Sequence, residues 1–188
     1  MTFMGFKRAK IKVAGEDEII TIEGNAREGA TVNAEITGVS KEPVRVWGSD
    51  IPYFVVQTGA GEIAVNVGII DALEAASDKI LGYKTNEKKF TFIGGSTNPP
   101  DCSLLLETAD LDGTPAFIGF PKGKFSKDAI NLNTKTGQNN EPEADAYGFT
   151  PSASDRDDET KEETMMKYIG TEHADEFEKL VFGIKTTP

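Results

Sequence analysis

One stretch constrains the fold more than any other, because the spacing of its apolar residues changes period part-way along. It is Ile51–Tyr83, IPYFVVQTGAGEIAVNVGIIDALEAASDKILGY. Ile51–Gln57 carries β-branched and aromatic residues, which suit a pleated, half-buried surface. Gly59-Ala60-Gly61 offers a turn, since glycine reaches positive φ without a Cβ clash. Glu62–Val67 alternates, with Ile63, Val65 and Val67 on one face and Glu62, Ala64 and Asn66 on the other. That is a strand with one buried face. The pattern predicts a hairpin of Ile51–Gln57 with Glu62–Val67. At Asp71 the period becomes helical. Asp71 and Glu74 have the spacing of a capping box, Leu73, Ser77 and Ile80 share a stripe with Ala76 and Leu81, and Gly82 sits where a left-handed residue ends a helix. A helix over 71–81 is marginal alone and must pack on a sheet, with Leu73 and Ile80 buried.

The rest of the chain supplies strands for that sheet. Arg8–Val13 alternates a basic face of Arg8, Lys10 and Lys12 with Ala9, Ile11 and Val13, and Ile19–Glu23 returns beside it. The basic face is expected to point outward or to pair with acids of a neighbouring copy. Thr31–Val39 alternates again, and Val44–Trp47 is a short strand in the long connection Lys41–Asp50. Phe90–Ile93 is another strand. Ser103–Glu107 and Ala116–Phe120 are continuous apolar runs about Asp112-Gly113, a hairpin turn signal, and read as central strands buried on both faces. Lys122–Thr134 reads as a long strand whose apolar parity shifts between Phe125 and Ile130, as a bulge would make it do. Glu143–Ala153 is a strand with Tyr147 and Phe149 on one face. Ser154–Glu163 is densely charged and expected to be exposed or mobile, and Thr164–Ile169 a helical turn or a short strand. Thr171–Phe182 reads as a helix capped by Thr171 and closed by Gly183. The expected organisation is a β-rich domain over 1–154, with 155–188 a charged segment and C-terminal helix that belong to it or extend it.

Charge and chemistry narrow the function. With 31 acidic against 20 basic residues, the net charge is −11, which argues against a generic nucleic-acid binder. A lone cysteine, Cys102, excludes an intrachain disulfide and fits a reducing cytoplasm. No secretory leader is expected, because Phe3–Phe6 is too short an apolar segment and Lys7, Arg8, Lys10 and Lys12 follow it. No apolar run approaches about 18 residues, so no membrane span is expected. The single histidine, His173, has no sequence neighbours to complete a triad. One Cys and one His cannot make a zinc site. Asp110–Gly113 and Asp155–Glu159 lack the liganding order of a calcium loop. Gly59-Ala60-Gly61 and Gly94-Gly95 lack the Lys-Ser/Thr of a phosphate cradle. Neither catalysis nor a cofactor is expected.

The segment order carries a resemblance. GNAREGATVNAEITGVSKEPVRVWGSDIPYFVVQTGAGEIAVNVGIIDALEAASDKILGY, PPDCSLLLET, GFPKGKFSKDAINLNTKTG and EPEADAYGFTPSASD together resemble the major tail proteins of long-tailed, non-contractile bacteriophages. The resemblance implies a mainly β fold, a sandwich or half-barrel with a flanking helix. It implies six copies in a ring, rings stacked into a tail tube, and DNA passing through without specific binding. Partners would be further copies of the chain, the tape-measure protein, and the tail terminator and tip proteins. The place would be the virion tail, after synthesis in the host cytoplasm. The connection Lys41–Pro52, with Arg45, Trp47 and Asp50, is the candidate contact to the next ring, and Asn133–Glu141 a second. Candidate lumen residues are Glu35, Asp128 and Asp145, on the polar faces of the strands expected to be inner. Two rival readings are a β-sandwich binding module for carbohydrate or a cell surface, and a hydrolase with paired carboxylates, for which no spacing is found.

Overall fold

A computed structural model describes residues 2–25, 27–132, 134 and 143–184. The elements in chain order are β1 (Phe3–Val13), β2 (Ile19–Ile22), β3 (Ala30–Thr37), β4 (Val44–Gly48), β5 (Ile51–Val56), β6 (Ala64–Ile70), α1 (Glu74–Leu81), β7 (Lys84–Thr85), β8 (Thr91–Phe92), β9 (Cys102–Asp110), β10 (Pro115–Ser126), β11 (Asp145–Pro151), β12 (Met166–Ile169) and α2 (Ala174–Phe182). The fold is mainly β with two helices. Its main sheet runs β2-β1-β9-β10-β11-β6-β3, and β12 pairs with the first half of β10. Every pairing is antiparallel. The sheet curls into a half-barrel. Although β1 and β3 stand far apart along the path, the Thr31 hydroxyl donates to the Phe6 carbonyl at 3.0 Å.

Alternation explains the interior. Ala9, Ile11 and Val13 of β1, Val65, Val67 and Ile69 of β6, and Tyr147 and Phe149 of β11 fill one core with Phe120 and Phe125 of β10. On β9, Leu104, Leu105 and Leu106 are all buried. Leu104 and Leu106 join this core, while Leu105 turns to a second one with Phe117, Val181 and Phe182, under α2. The continuous apolar run therefore reports a strand covered on both faces. The β9–β10 turn forms at Asp112-Gly113, with Gly113 at φ 81°. The bulge in β10 lies between Phe120 and Gly123, where the pairing to β9 shifts. It is thus earlier than the parity shift suggested.

Several local expectations are corrected. Ile51–Gln57 does not pair with Glu62–Val67; β5 pairs with β4, and β6 with β3 and β11. The long-range partners of β6 bury Val65 and Val67, which outweighs the local turn chemistry of Gly59–Gly61. Strand β10 ends at Ser126, not Thr134, and Ile130 and Leu132 are exposed. The basic face of β1 is satisfied within the chain. Arg8 and Lys7 pair with the buried Glu107 at 2.7 and 3.0 Å, Lys10 with Glu178 of α2 at 2.6 Å, and Lys12 donates to the Phe182 carbonyl at 3.4 Å. The charged segment after β11 is tied down. Ser154 and Thr160 are buried with their hydroxyls 3.0 Å apart, and Arg156 donates to the carbonyls of Leu180 and Val181 at 2.9 and 3.0 Å, where α2 ends. Those last carbonyls lack intrahelical partners, so a cation there is favourable.

Both helices end as expected, on Gly82 at φ 68° and Gly183 at φ 63°. Neither begins as expected. The N-cap of α2 is His173, not Thr171, and that of α1 is Leu73; neither has a side-chain cap. Asp71 is itself left-handed, at φ 54°, and lies two residues before the cap, so its carboxylate does not close a capping box. Leu73 is 51% exposed, whereas Ile80 and Leu81 are buried and the Ser77 hydroxyl meets that of Tyr147 at 2.9 Å. Ile80→Ala is expected to cost about 2–5 kcal/mol, the range for a buried large aliphatic side chain. Leu73→Ala is expected to stay within about 0.5 kcal/mol of the parent, as surface substitutions do. Urea titration of the two variants checks the contrast.

Candidate assembly surfaces

The pairing of β3 with β6 ends at Thr37 and Ala64. Beyond them the chain leaves the body as an arm, residues 38–62, and β4 and β5 are its paired part. The two legs touch at a glycine neck. A Cβ on Gly38 would collide with the carbonyl of Glu62, and one on Gly61 would lie 2.5 Å from the Gly38 carbonyl and 2.8 Å from that of Ser40. Outside the neck, the Gln57 amide donates to the Lys41 carbonyl at 2.8 Å. The arm tip is a two-residue turn, Ser49-Asp50, between the paired Gly48 and Ile51. Both turn residues are left-handed, at φ 52° and 62°, as a type I′ hairpin demands, although neither is glycine or asparagine.

No core lies against this arm. Trp47 is 63% exposed, Tyr53 77%, and Val44, Val46, Ile51, Phe54 and Val55 are exposed with them. Of the candidate contact residues, Trp47 and Arg45 are exposed on β4 and Asp50 sits in the turn. Arg45 and Asp50 have no ion-pair partner among the described residues. The second contact candidate, Asn133–Glu141, lies outside the described residues apart from Thr134. The apolar content of YFVV was legible in the sequence, but it reads equally as a buried strand. The missing signal was that both faces of the segment are apolar while glycines flank it.

A second surface is the face of the sheet opposite the first core, along the end of β10 and across β11, β6 and β3. Registers Lys124↔Thr150, Ser126↔Gly148, Gly148↔Asn66 and Asn66↔Glu35 put these residues on one face, with Ala64, Gly68, Ala146, Asn33 and Thr37. The side chains are small and polar. Asn33 lies over Gly68, where a Cβ would collide with its Oδ1, and the Ser126 hydroxyl lies 2.7 Å from where a Cβ of Gly148 would stand. Glu35 and Lys124 bring the charges. Lys124 is held to Asp101 at 3.3 Å and to the Pro99 carbonyl at 2.6 Å. Glu35 has no cationic partner among the described residues.

The other two lumen candidates do not share that face with Glu35. Asp145 opens β11 opposite Ile69, in the row of Tyr147 and Phe149, and its carboxylate meets Lys127 at 2.9 Å. Asp128 is exposed just past the end of β10. Lys127 also lies 5.1 Å from the centre of the Tyr147 ring. The three acids thus do not form one row.

Elsewhere the reactive side chains are engaged. The His173 ring nitrogen meets the Glu176 carboxylate at 2.9 Å on the surface. Cys102 is 2% exposed, and burial, with Asp101 beside it, pushes its thiol pKa up to about 12. Among the described residues no group of three His, Cys, Asp or Glu side chains could hold a metal ion, and no helix is long and apolar enough to cross a membrane.

The family described as phage tail tube protein matches the chain over residues 10–183, which takes in the end of β1, every later strand, the arm and both helices. No curated protein sequence matches it. A match over nearly the whole chain, on a mainly β fold with the expected helices, is sufficient: the chain belongs to the phage tail tube protein family and is a structural component of the bacteriophage virion tail.

Proposed function

We propose that copies of this chain close into six-membered rings, that the rings stack into the tail tube, and that the tube conducts DNA during ejection. The observation that carries this reading is the arm. Soluble monomers rarely expose a contiguous apolar patch of this kind, and such patches mark interaction sites. Free sheet edges add to it, since β2 and β3 end the strand order. Unpaired edges invite strand pairing with another chain, and closure into a ring removes them. Arg45, Trp47 and Asp50 are the proposed contacts to the adjacent ring. The proposed lumen wall is the small, polar face about Glu35; Asp128 and Asp145, off that face, are the further lumen candidates. Such a wall offers DNA few cations to hold it. The tape-measure protein would fill the lumen before DNA does, and the terminator and tip proteins would cap the ends. Synthesis would be in the host cytoplasm.

Replacing the arm tip, residues 44–56, by a short glycine-serine turn tests the reading. The shortened chain is expected to melt with the parent, because the arm adds nothing to either core. It is expected to form no tubes under electron microscopy, whereas the parent forms particles of six times 20.3 kDa and stacks of them. Normal tubes from the shortened chain would remove the arm from the assembly mechanism. A parent that stays monomeric at every concentration would favour the binding-module reading, for which exposed Trp47 and Tyr53 would be the contact aromatics.

A further inference from the structure

We infer that the arm is clasped on both faces in the assembled tail, held between two other copies of this chain. The inference rests on the self-assembly reading and deepens it. The register fixes which side chains share a face. Val44 stands opposite Val56 and Val46 opposite Phe54, which makes one face. Arg45 stands opposite Val55 on the other, and Tyr53 has the strand parity of Val55. All of these large side chains are exposed. A ribbon designed to lie on a surface keeps one wet face and alternates accordingly, as β1 does with Lys10 and Lys12 between Ala9, Ile11 and Val13. The arm does not alternate. Docking by one face would leave either Val46 and Phe54, or Tyr53 and Val55, in water.

The arm also has little reason to persist alone. A two-stranded hairpin is marginal in water. Here Ser49 and Asp50 hold left-handed conformations without glycine, and the ribbon carries a register shift between Val46 and Trp47. Cover on both sides supplies what the turn lacks. Trp47, Tyr53 and Phe54 each bury about 150–250 Å² when fully covered. With the valines, that approaches the order of 800 Å² per partner found in stable interfaces.

The occupants are second copies because the same chain carries two apolar receivers. One is an open hollow of about 490 Å³ between β1 and β3, lined by Phe3, Phe6, Ile36, Val39, Ile118 and Met165. The other is the exposed trio Phe90, Phe92 and Ile93 at the β7–β8 hairpin. Each copy thus offers an arm and two places for the arms of others. Such a contact is heterologous, the kind that builds rings and stacks and not closed pairs.

Face-specific substitution tests this. Val46→Lys with Phe54→Lys charges the first face, and Tyr53→Lys with Val55→Lys the second. Both variants are expected to keep the parent's melting temperature and to lose tube yield by at least about tenfold, the effect of only about 1.4 kcal/mol per contact. A second measurement avoids reliance on lysines. Val46→Cys and Val55→Cys are each labelled by a maleimide in the free chain and are expected to be protected at least about tenfold in tubes, again the span of about 1.4 kcal/mol. The native Cys102, buried and poorly ionised, stays silent. Parent tubes, with one charged face assembling normally or one cysteine labelled at the free rate, would overturn two-sided clasping alone. A parent that forms no tubes at all would overturn the self-assembly reading, and the clasping with it.

Discussion

Phe149→Ala is expected to destabilise the chain by about 3–5 kcal/mol, the range for removing a fully buried aromatic side chain. Phe149 is 1% exposed and stands at the seam where β10 passes from β9 to β11. Its ring lies 4.7 Å from that of Phe125 and 5.9 Å from that of Phe120, both in tilted or edge-on arrangements that suit aromatic pairs. The same ring covers Gly123, where a Cβ would lie 2.8 Å from its Cε1. Glycine at 123 therefore lets the ring close on the backbone just after the bulge. Truncation leaves a cavity there that the neighbouring strands cannot fill without breaking their pairing. Trp47→Ala removes a larger side chain but no buried contact, so it is expected to melt as the parent does. Equal unfolding midpoints for Phe149→Ala and Trp47→Ala in urea would show that the seam is not part of the stabilising core.

That contrast also marks what the sequence makes legible. Alternation alone puts Tyr147 and Phe149 on one face of a strand, and Ile63, Val65 and Val67 on one buried face, because burial on one side of a strand enforces period two. The β9–β10 hairpin was legible because Asp112-Gly113 is local turn chemistry between two apolar runs. Pairing between distant segments was not. Nothing near β6 in sequence announces β11 as its partner, so local turn chemistry points to Ile51–Gln57 instead. Nor does a run such as YFVV reveal whether its cover comes from its own chain or from another. Leu73 failed for a third reason. Asp71 and Glu74 have capping-box spacing, but helix α1 starts later and turns Leu73 to solvent. Of the arm, the sequence marks the connection Lys41–Asp50, but not that the apolar strand after it belongs to the same excursion. Glu35 lies on the face opposite the core as its parity indicated, while Asp145 shares parity with the core row.

The placement of those acids decides how the DNA-passage proposal is best tested. Asp145 is tied to Lys127 at 2.9 Å, so a lysine there would face a like charge and disturb the sheet end as well as any lumen. Glu35 has no such entanglement. It is exposed on β3 beside Asn66 and Asn33, with no cation paired to it among the described residues. Glu35→Lys changes the charge of the proposed wall by two units per copy, repeated around every ring, while leaving both cores untouched. Each lysine that meets a phosphate releases counterions and adds about 0.9 to the salt slope of binding to duplex DNA. Many weak contacts along a tube then act as drag on a moving polyanion. Virions carrying Glu35→Lys are expected to have tails of normal shape under electron microscopy and to eject their genomes slowly or incompletely. The defect is expected to ease as salt rises, because screening and counterion competition weaken those contacts. Glu35→Gln removes the charge without adding a cation and is expected to fall between the two. Ejection by Glu35→Lys virions at the parent rate in low salt would overturn the assignment of this face to the lumen, while leaving membership of the tail tube family intact.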